Sequence, residues 1–389
     1  MRLMGGLKRK RNHRMFKGRM MPQDTWISGI FRLQPSPRTG LKLDGRYEIM
    51  GLLDRGGSSE VYLARDARGA SPVIVKMLTE EAARDVQHRE RFISGARSTM
   101  AIDHPAIGRV FSVKVPANVP PYLIMEALRG ESLSEYLDRE ERMPETMTLA
   151  LAREAASGLV AAHAAGIIHR DIKPGNLYLL GPLGAPHGIK IIDFGLSKDL
   201  RNIGSGPISM NLVLGTAQYM APEQVLADPV DERTDIYAFG VVLFRMLTGQ
   251  LPFDLNPSAC LSCHQIFSPA PPPSWLLEDV DPRFEQLILQ CLRKHPENRY
   301  ASMQELLNGL SDIENQPFGA ACEVAVRALR HQPDVYIPHS SRGCGVAEEL
   351  ARDRGNVGTP RPGAESEVTL NESDFKSMRG RPRTKLSKW

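Results

Sequence analysis

The spacing of apolar residues changes once along this chain, and that change restricts the fold more than any other feature. From Leu43 to residue 126 they come in short branched or aromatic runs, Tyr47–Leu53, Glu60–Arg65, Val73–Leu78 and Tyr122–Glu126. Turns rich in glycine and aspartate separate the first three, the pattern of an antiparallel meander. A helix is expected over Glu80–Met100, weakened by Gly95 in its interior. Further on, helical spacing dominates. Met147–Ala165 places Leu151, Ala155, Leu159 and Ala162 on one face and ends at Gly166. Ile236–Thr248 is apolar nearly all round, ends at Gly249 and is expected to be buried. A small β-rich part followed by a larger helical part predicts one α+β unit with a cleft between its halves.

Charge sets this centre apart from both ends. Residues 1–42 hold eleven Lys/Arg against Asp24 alone, and residues 376–389 hold six with no acid. The formal charge of the whole chain is only +4, so the middle is acidic. Residues 1–42 are expected to be a basic disordered extension, with Met20 or Met21 as alternative starts. Residues 314–389, rich in Gly, Pro, Ser and charge, are expected to be a mostly disordered tail with a basic end. No run approaches the ~18 apolar residues of a membrane span, and Arg245 interrupts the best one, Ala238–Leu247. The basic start is followed by no apolar run or small-residue cleavage site. Five irregularly spaced cysteines suggest a reducing compartment. A cytoplasmic protein without a membrane partner is expected.

The chemistry is concentrated in three motifs. His169-Arg170-Asp171-Ile172-Lys173-Pro174-Gly175-Asn176 is followed by Asp193-Phe194-Gly195 and then by Ala221-Pro222-Glu223. In this order and at these separations the sequence resembles the protein kinase family, specifically the eukaryotic-like (Hanks-type) bacterial serine/threonine kinases. The resemblance covers Leu43–Ile313. It implies a bilobal fold, with a small β-rich lobe over 43–126 and a larger helical lobe over 129–313.

The resemblance also implies roles. Phosphoryl transfer needs positioning and neutralisation of oxygen charge more than covalent help. Asp171 would orient the acceptor hydroxyl and accept its proton, and Lys173 would neutralise the γ-phosphate of ATP. Asn176 and Asp193 would hold Mg²⁺, a hard cation that prefers oxygen ligands. Asp235 matches the aspartate that hydrogen-bonds the catalytic-loop backbone, and Glu223 with Arg299 matches a structural pair. Lys76 would bind the α- and β-phosphates. Leu53, Gly56 and Val61 line the glycine-rich loop, where Asp54 and Ser59 replace the outer two glycines. Met125 resembles the gatekeeper, and Glu126 and Leu128 would offer backbone groups to the adenine. Ile74 and Tyr178 stand where smaller residues are usual, so a tight adenine slot is expected. Thr216 would hydrogen-bond Asp171 and Lys173. Arg170 would read a phosphate on the activation segment, with Ser205 and Ser209 as acceptors.

One position departs from the pattern. Counted from Asp103-His104-Pro105, the helical glutamate that should pair with Lys76 falls on Gly95. Glu90 lies five residues earlier, about 140° around a helix of 3.6 residues per turn. Glu90, Asp85 or Glu81 would reach Lys76 only through a helix shift.

A kinase acting on Ser/Thr of protein substrates, with autophosphorylation, is the leading expectation. A pseudokinase or nucleotide-binding scaffold is the alternative that Gly95 suggests. A third reading is a DNA-associated kinase, because Arg379-Gly380-Arg381-Pro382-Arg383 resembles a minor-groove-binding segment. Cys260-Leu261-Ser262-Cys263-His264 matches the c-type haem attachment pattern but lies where kinases have a helix.

Overall fold

The computed structural model describes residues 33–69, 71–194, 217–253 and 261–315. Its small lobe is an antiparallel sheet of β1 (Lys42–Leu43), β2 (Tyr47–Arg55), β3 (Ser59–Asp66), β4 (Val73–Leu78), β5 (Val110–Lys114) and β6 (Tyr122–Glu126). The strand order is β1-β2-β3-β4-β6-β5. Successive side chains alternate between the two faces. Tyr62, Val75, Met77, Tyr122 and Ile124 enter an outer cluster with Tyr47, Ile49 and Leu52. Leu63, Ile74, Leu123 and Met125 enter an inner one.

The segment before β1 packs on both clusters, Leu41 on the outer one and Leu33 on the inner one. Gln34 exchanges two backbone hydrogen bonds with Leu52 (2.7 and 3.1 Å), Ile49 N–H donates to Leu41, and Gly40 N–H donates to Ile49. Arg38 lies 2.9 Å from Glu80 and 3.8 Å from Glu60. Leu33 presses on β2 at Gly51, where a Cβ would stand 3.0 Å from the Leu33 Cβ. The expected boundary at Leu43 therefore shifts: 33–42 belong to the folded lobe. Backbone pairing to a sheet edge needs no apolar period, so the sequence pattern concealed it. Residues 1–32 lie outside the described residues.

The single helix expected over Glu80–Met100 is two, α1 (Glu80–Arg84) and α2 (Val86–Met100). Asp85 breaks the run with extended backbone, and its carboxylate caps α2 by accepting from Gln87 N–H and His88 N–H. The face of α2 turned inward is Phe92, Gly95, Ala96 and Thr99.

The large lobe opens with β7 (Gly130–Ser132) and α3 (Leu133–Glu140), whose start carries a Ser132–Glu135 capping box. Then come α4 (Glu145–Ala164), β8 (Leu177–Leu180) and β9 (Gly188–Ile191), the strands ordered β7-β8-β9. Gly130 has φ 148°, and a Cβ there would stand 1.8 Å from the Leu179 carbonyl oxygen, so only glycine fits. After α5 (Pro222–Val225), the central α6 (Glu232–Thr248) is buried from Thr234 to Phe244 and ends on Gly249. Against it pack α8 (Pro282–Cys291) and α9 (Met303–Asn315), and α7 (Leu261–Phe267) reaches it where Tyr237 donates its hydroxyl to Gln265 Oε1 at 2.6 Å. Phe239, Leu243, Phe284, Ile288, Leu306 and Leu310 belong to one core with Leu159 of α4. Among the described residues, no helix is long and apolar enough to cross a membrane.

Candidate active site

The segment His169–Asn176 is irregular backbone, and a buried carboxylate on α6 organises it. Asp235 accepts from His169 N–H at 2.8 Å and Arg170 N–H at 2.7 Å, and lies 2.8 Å from His163 Nε2. These bonds hold Arg170 at φ 65°, a left-handed conformation that a long side chain adopts only when its surroundings fix it. Gln224 Nε2 secures the same residue from α5 by donating to its carbonyl at 2.9 Å. The His169 imidazole packs edge-on against Phe194, with 4.6 Å between ring centroids. Its Nε2 lies 3.0 Å from the Ile192 carbonyl oxygen.

On this loop three predicted residues converge. Lys173 Nζ lies 2.7 Å from Asp171 Oδ2, and Asn176 Nδ2 donates to the same oxygen at 3.1 Å. A second bond from Asn176 Nδ2, to the Asp171 carbonyl at 2.8 Å, fixes the amide. With the nitrogen committed, the Asn176 side-chain oxygen is its remaining donor for a cation. Asp193, at φ 68°, extends its carboxylate toward the small lobe.

Lys76, on β4, meets that carboxylate directly: Nζ to Asp193 Oδ2 is 2.6 Å. The acids of the helical region do not face it, for Glu81, Asp85 and Glu90 are all exposed. Behind the pair, a cavity is lined by Ala96, Thr99, Gly108, Val110, Leu123, Met125, Asp193 and Phe194. It lies beside the small-residue face of α2.

Leu53 and Val61 flank the β2–β3 turn and pack on the inner cluster with Ile74 and Met125. Gly56 N–H closes that turn on the Ser59 carbonyl at 2.8 Å. Glu126 N–H donates to Arg109, and its carboxylate accepts from Arg109 N–H at 2.8 Å and Lys190 Nζ at 2.7 Å. Its backbone carbonyl is the group it can turn to a base. Leu128 is half-buried just past β6. Tyr178 anchors its hydroxyl on the Gly130 carbonyl at 2.9 Å, and burial pushes its phenol up to about 12.

The segment after residue 216 is moored to the large lobe. Gln265 Nε2 donates to the Gln218 carbonyl at 2.7 Å, and Arg245 Nη1 to the Tyr219 hydroxyl at 2.5 Å. Sequence reasoning missed Gln265, Gln224 and Lys190. Arg245 was visible as the lone charge in an apolar helix, and Tyr219 accounts for it. Gly195, Ser205, Ser209 and Thr216 lie outside the described residues, as do Cys260 and Arg379–Arg383. His264 stands on α7 with Nδ1 2.8 Å from Ser268 Oγ.

No group of three or more His, Cys, Asp or Glu that could hold a metal occurs among the described residues. A two-residue oxygen set, Asn176 with Asp193, fits Mg²⁺, which usually keeps waters and shares substrate phosphates.

A family model for the protein kinase domain matches residues 47–309. The chain is 35% identical over 276 residues to serine/threonine-protein kinase PknB of Mycobacterium tuberculosis, covering 70% of this chain and 44% of that one. To serine/threonine-protein kinase PknA of the same organism it is 36% identical over 303 residues, covering 77% and 65%. It thus spans about half the length of the first of these relatives. The crystal structure of the M. tuberculosis PknI kinase domain superposes with a TM-score of 0.56 at 24% identity, over 72% of this chain and 100% of that one. The chain belongs to the protein kinase family, in its bacterial Hanks-type serine/threonine branch.

Proposed function

We propose that this chain transfers the γ-phosphoryl group of ATP to serine and threonine hydroxyls of proteins, with Mg²⁺. The observation that carries the reading is the meeting of Lys173 and Asn176 on Asp171 Oδ2, on a loop pinned by Asp235. Both donors use one oxygen, so Asp171 Oδ1 is the atom that takes the proton of the acceptor hydroxyl. Lys173, 26% exposed, turns to the γ-phosphate and neutralises its oxygens while the bond to the acceptor hydroxyl oxygen forms and the bond to the bridging oxygen of the departing ADP breaks. Lys76 binds the α- and β-phosphates beneath the Gly56 turn, and Leu53 and Val61 cover the base. Glu126 and Leu128 supply the backbone edge it pairs with. Asn176 and Asp193 would hold Mg²⁺, which when bound would supply charge neutralisation at the phosphate oxygens.

Protein substrates, autophosphorylation at Ser205 or Ser209 and a cytoplasmic setting complete the proposal. The names of the mycobacterial relatives support the residue class, and the irregular cysteines support the compartment. A second reading, a nucleotide-binding scaffold that transfers nothing, rests on Gly95 and the absence of an acid from the inward face of α2. Incubation of purified protein with radiolabelled ATP, Mg²⁺ and a general protein acceptor, followed by phosphoamino-acid analysis, tests the proposal. Phosphoserine and phosphothreonine are expected. Mainly phosphotyrosine would overturn the residue class, and bound nucleotide without label would favour the scaffold.

A further inference from the structure

Lys76 belongs to the small lobe, and the acid it meets belongs to the large one. The ion pair with Asp193 is 2.6 Å long, and its side chains are 12% and 26% exposed. Gly95 occupies the inward face of α2 and brings no carboxylate. Asp85 is committed to capping that helix through Gln87 N–H and His88 N–H. Glu81 and Glu90 are exposed.

Asp193 is held from below. Its predecessor Ile192 donates its N–H to the Asn176 carbonyl at 2.9 Å, and its successor Phe194 lies against His169. The anchor for Lys76 is thus as firm as the catalytic loop itself and owes nothing to α2. On the kinase reading above, the same carboxylate is a metal ligand.

We propose that Asp193 is the positioning residue for Lys76, in addition to holding the metal, and that this double duty makes nucleotide binding strongly metal-dependent. Without a metal, a polyphosphate drawn to Lys76 must also face the Asp193 charge, because the two lie in contact. If Lys76 swings to the phosphates, Asp193 loses its partner and stands as an unpaired anion beside them. A divalent cation on Asp193 removes both penalties and leaves Lys76 to the phosphates. A chain with a carboxylate in place of Gly95, on the inward face of α2, would hold the lysine apart from the metal ligand, and the two binding events would be less coupled.

The test measures ADP binding by calorimetry with Mg²⁺ and with EDTA, and takes the ratio of the two dissociation constants. The wild type, Gly95→Glu, Gly95→Gln and Asp193→Asn are compared. Gly95→Glu offers Lys76 a second acid, and Gly95→Gln matches its size without the charge. The ratio should fall about fivefold or more in Gly95→Glu, a coupling change within the ordinary allosteric range, and should not fall in Gly95→Gln. In Asp193→Asn, metal-free ADP should bind at least as tightly as to wild type, and Mg²⁺ should add little. This variant carries the test if the position-95 variants do not fold. An unchanged ratio in folded Gly95→Glu would overturn the proposal, as would weaker metal-free binding to Asp193→Asn. Failure of the wild type to bind ADP even with Mg²⁺ would instead reject the kinase reading beneath it.

Discussion

Arg299 and Glu223 form a buried, two-bonded ion pair, with Nη1 to Oε1 and Nη2 to Oε2 both at 2.8 Å. Thr234 Oγ1 donates to Glu223 as well, at 2.8 Å. Arg299 spends its other hydrogens on the carbonyls of Arg233, Arg293 and Lys294. Truncating one partner leaves the other charged and dry. Arg299→Ala should therefore cost about 3–5 kcal/mol, read as a lower urea midpoint at unchanged slope. A loss under about 1 kcal/mol, the size of an exposed pair, would contradict this account of how the Ala221–Glu223 segment is moored.

Asp235 should matter for rate more than for stability. It accepts the backbone N–H groups of both His169 and Arg170, the second in a left-handed conformation. Asp235→Asn keeps the volume but turns one acceptor into a donor facing a donor. The expected result is a fall in kcat of about 100-fold, equivalent to about 2.7 kcal/mol, with the melting temperature lowered by a few degrees at most. Unchanged kcat would mean that the loop holds its shape without this carboxylate.

The segment before β1 should act as part of the fold. Removing 1–42 takes away the backbone partners of Ile49 and Leu52 and the Arg38 contacts over Glu60 and Met77. The apolar outer cluster then meets water at a cost of at least about 2 kcal/mol. Removal of residues 1–32 alone keeps all of these contacts and should cost less. Equal unfolding midpoints for the two truncations would contradict the assignment of 33–42 to the lobe.

Glu131 gives the stability a signed dependence on pH. Its carboxylate, nearly buried, pairs with Arg139, and the Arg139 guanidinium bonds hold it below the ordinary glutamate value of 4.5. The unfolded chain therefore binds the proton more readily, and stability falls as pH drops from the unfolded value through the lower folded one. Above the ordinary value the contribution is fully present. Arg139→Met should be less stable near neutral pH, and the gap to wild type should narrow as the pH falls below 4.5. A constant gap over that window would contradict the pairing.

How far the sequence revealed this arrangement depended on range. Asp171, Lys173 and Asn176 lie within six residues of one another, and their motif predicts their contact. The four long strand runs were visible because each has one or both faces in a cluster. The four-residue strands β8 and β9 are too short to carry a period. The family pattern points to the helix for the partner of Lys76, where Gly95 offers no acid, whereas the acid it meets is Asp193, 117 residues away and marked by the sequence only as a metal ligand. The sequence marks Glu126 for its backbone alone, because nothing local announces Lys190, 64 residues away. Arg245 looked like a flaw in an apolar run until Tyr219 came against it.

The most direct measurement of the central claim is phosphoryl transfer from radiolabelled ATP by wild type and Asp171→Asn, both verified as folded by circular dichroism. Asp171 is 22% exposed, so the variant should fold. The wild type should label protein Ser/Thr, and Asp171→Asn should fall at least about 1,000-fold, roughly 4 kcal/mol of lost transition-state stabilisation. Equal rates in the two proteins, or no label in either, would contradict the account.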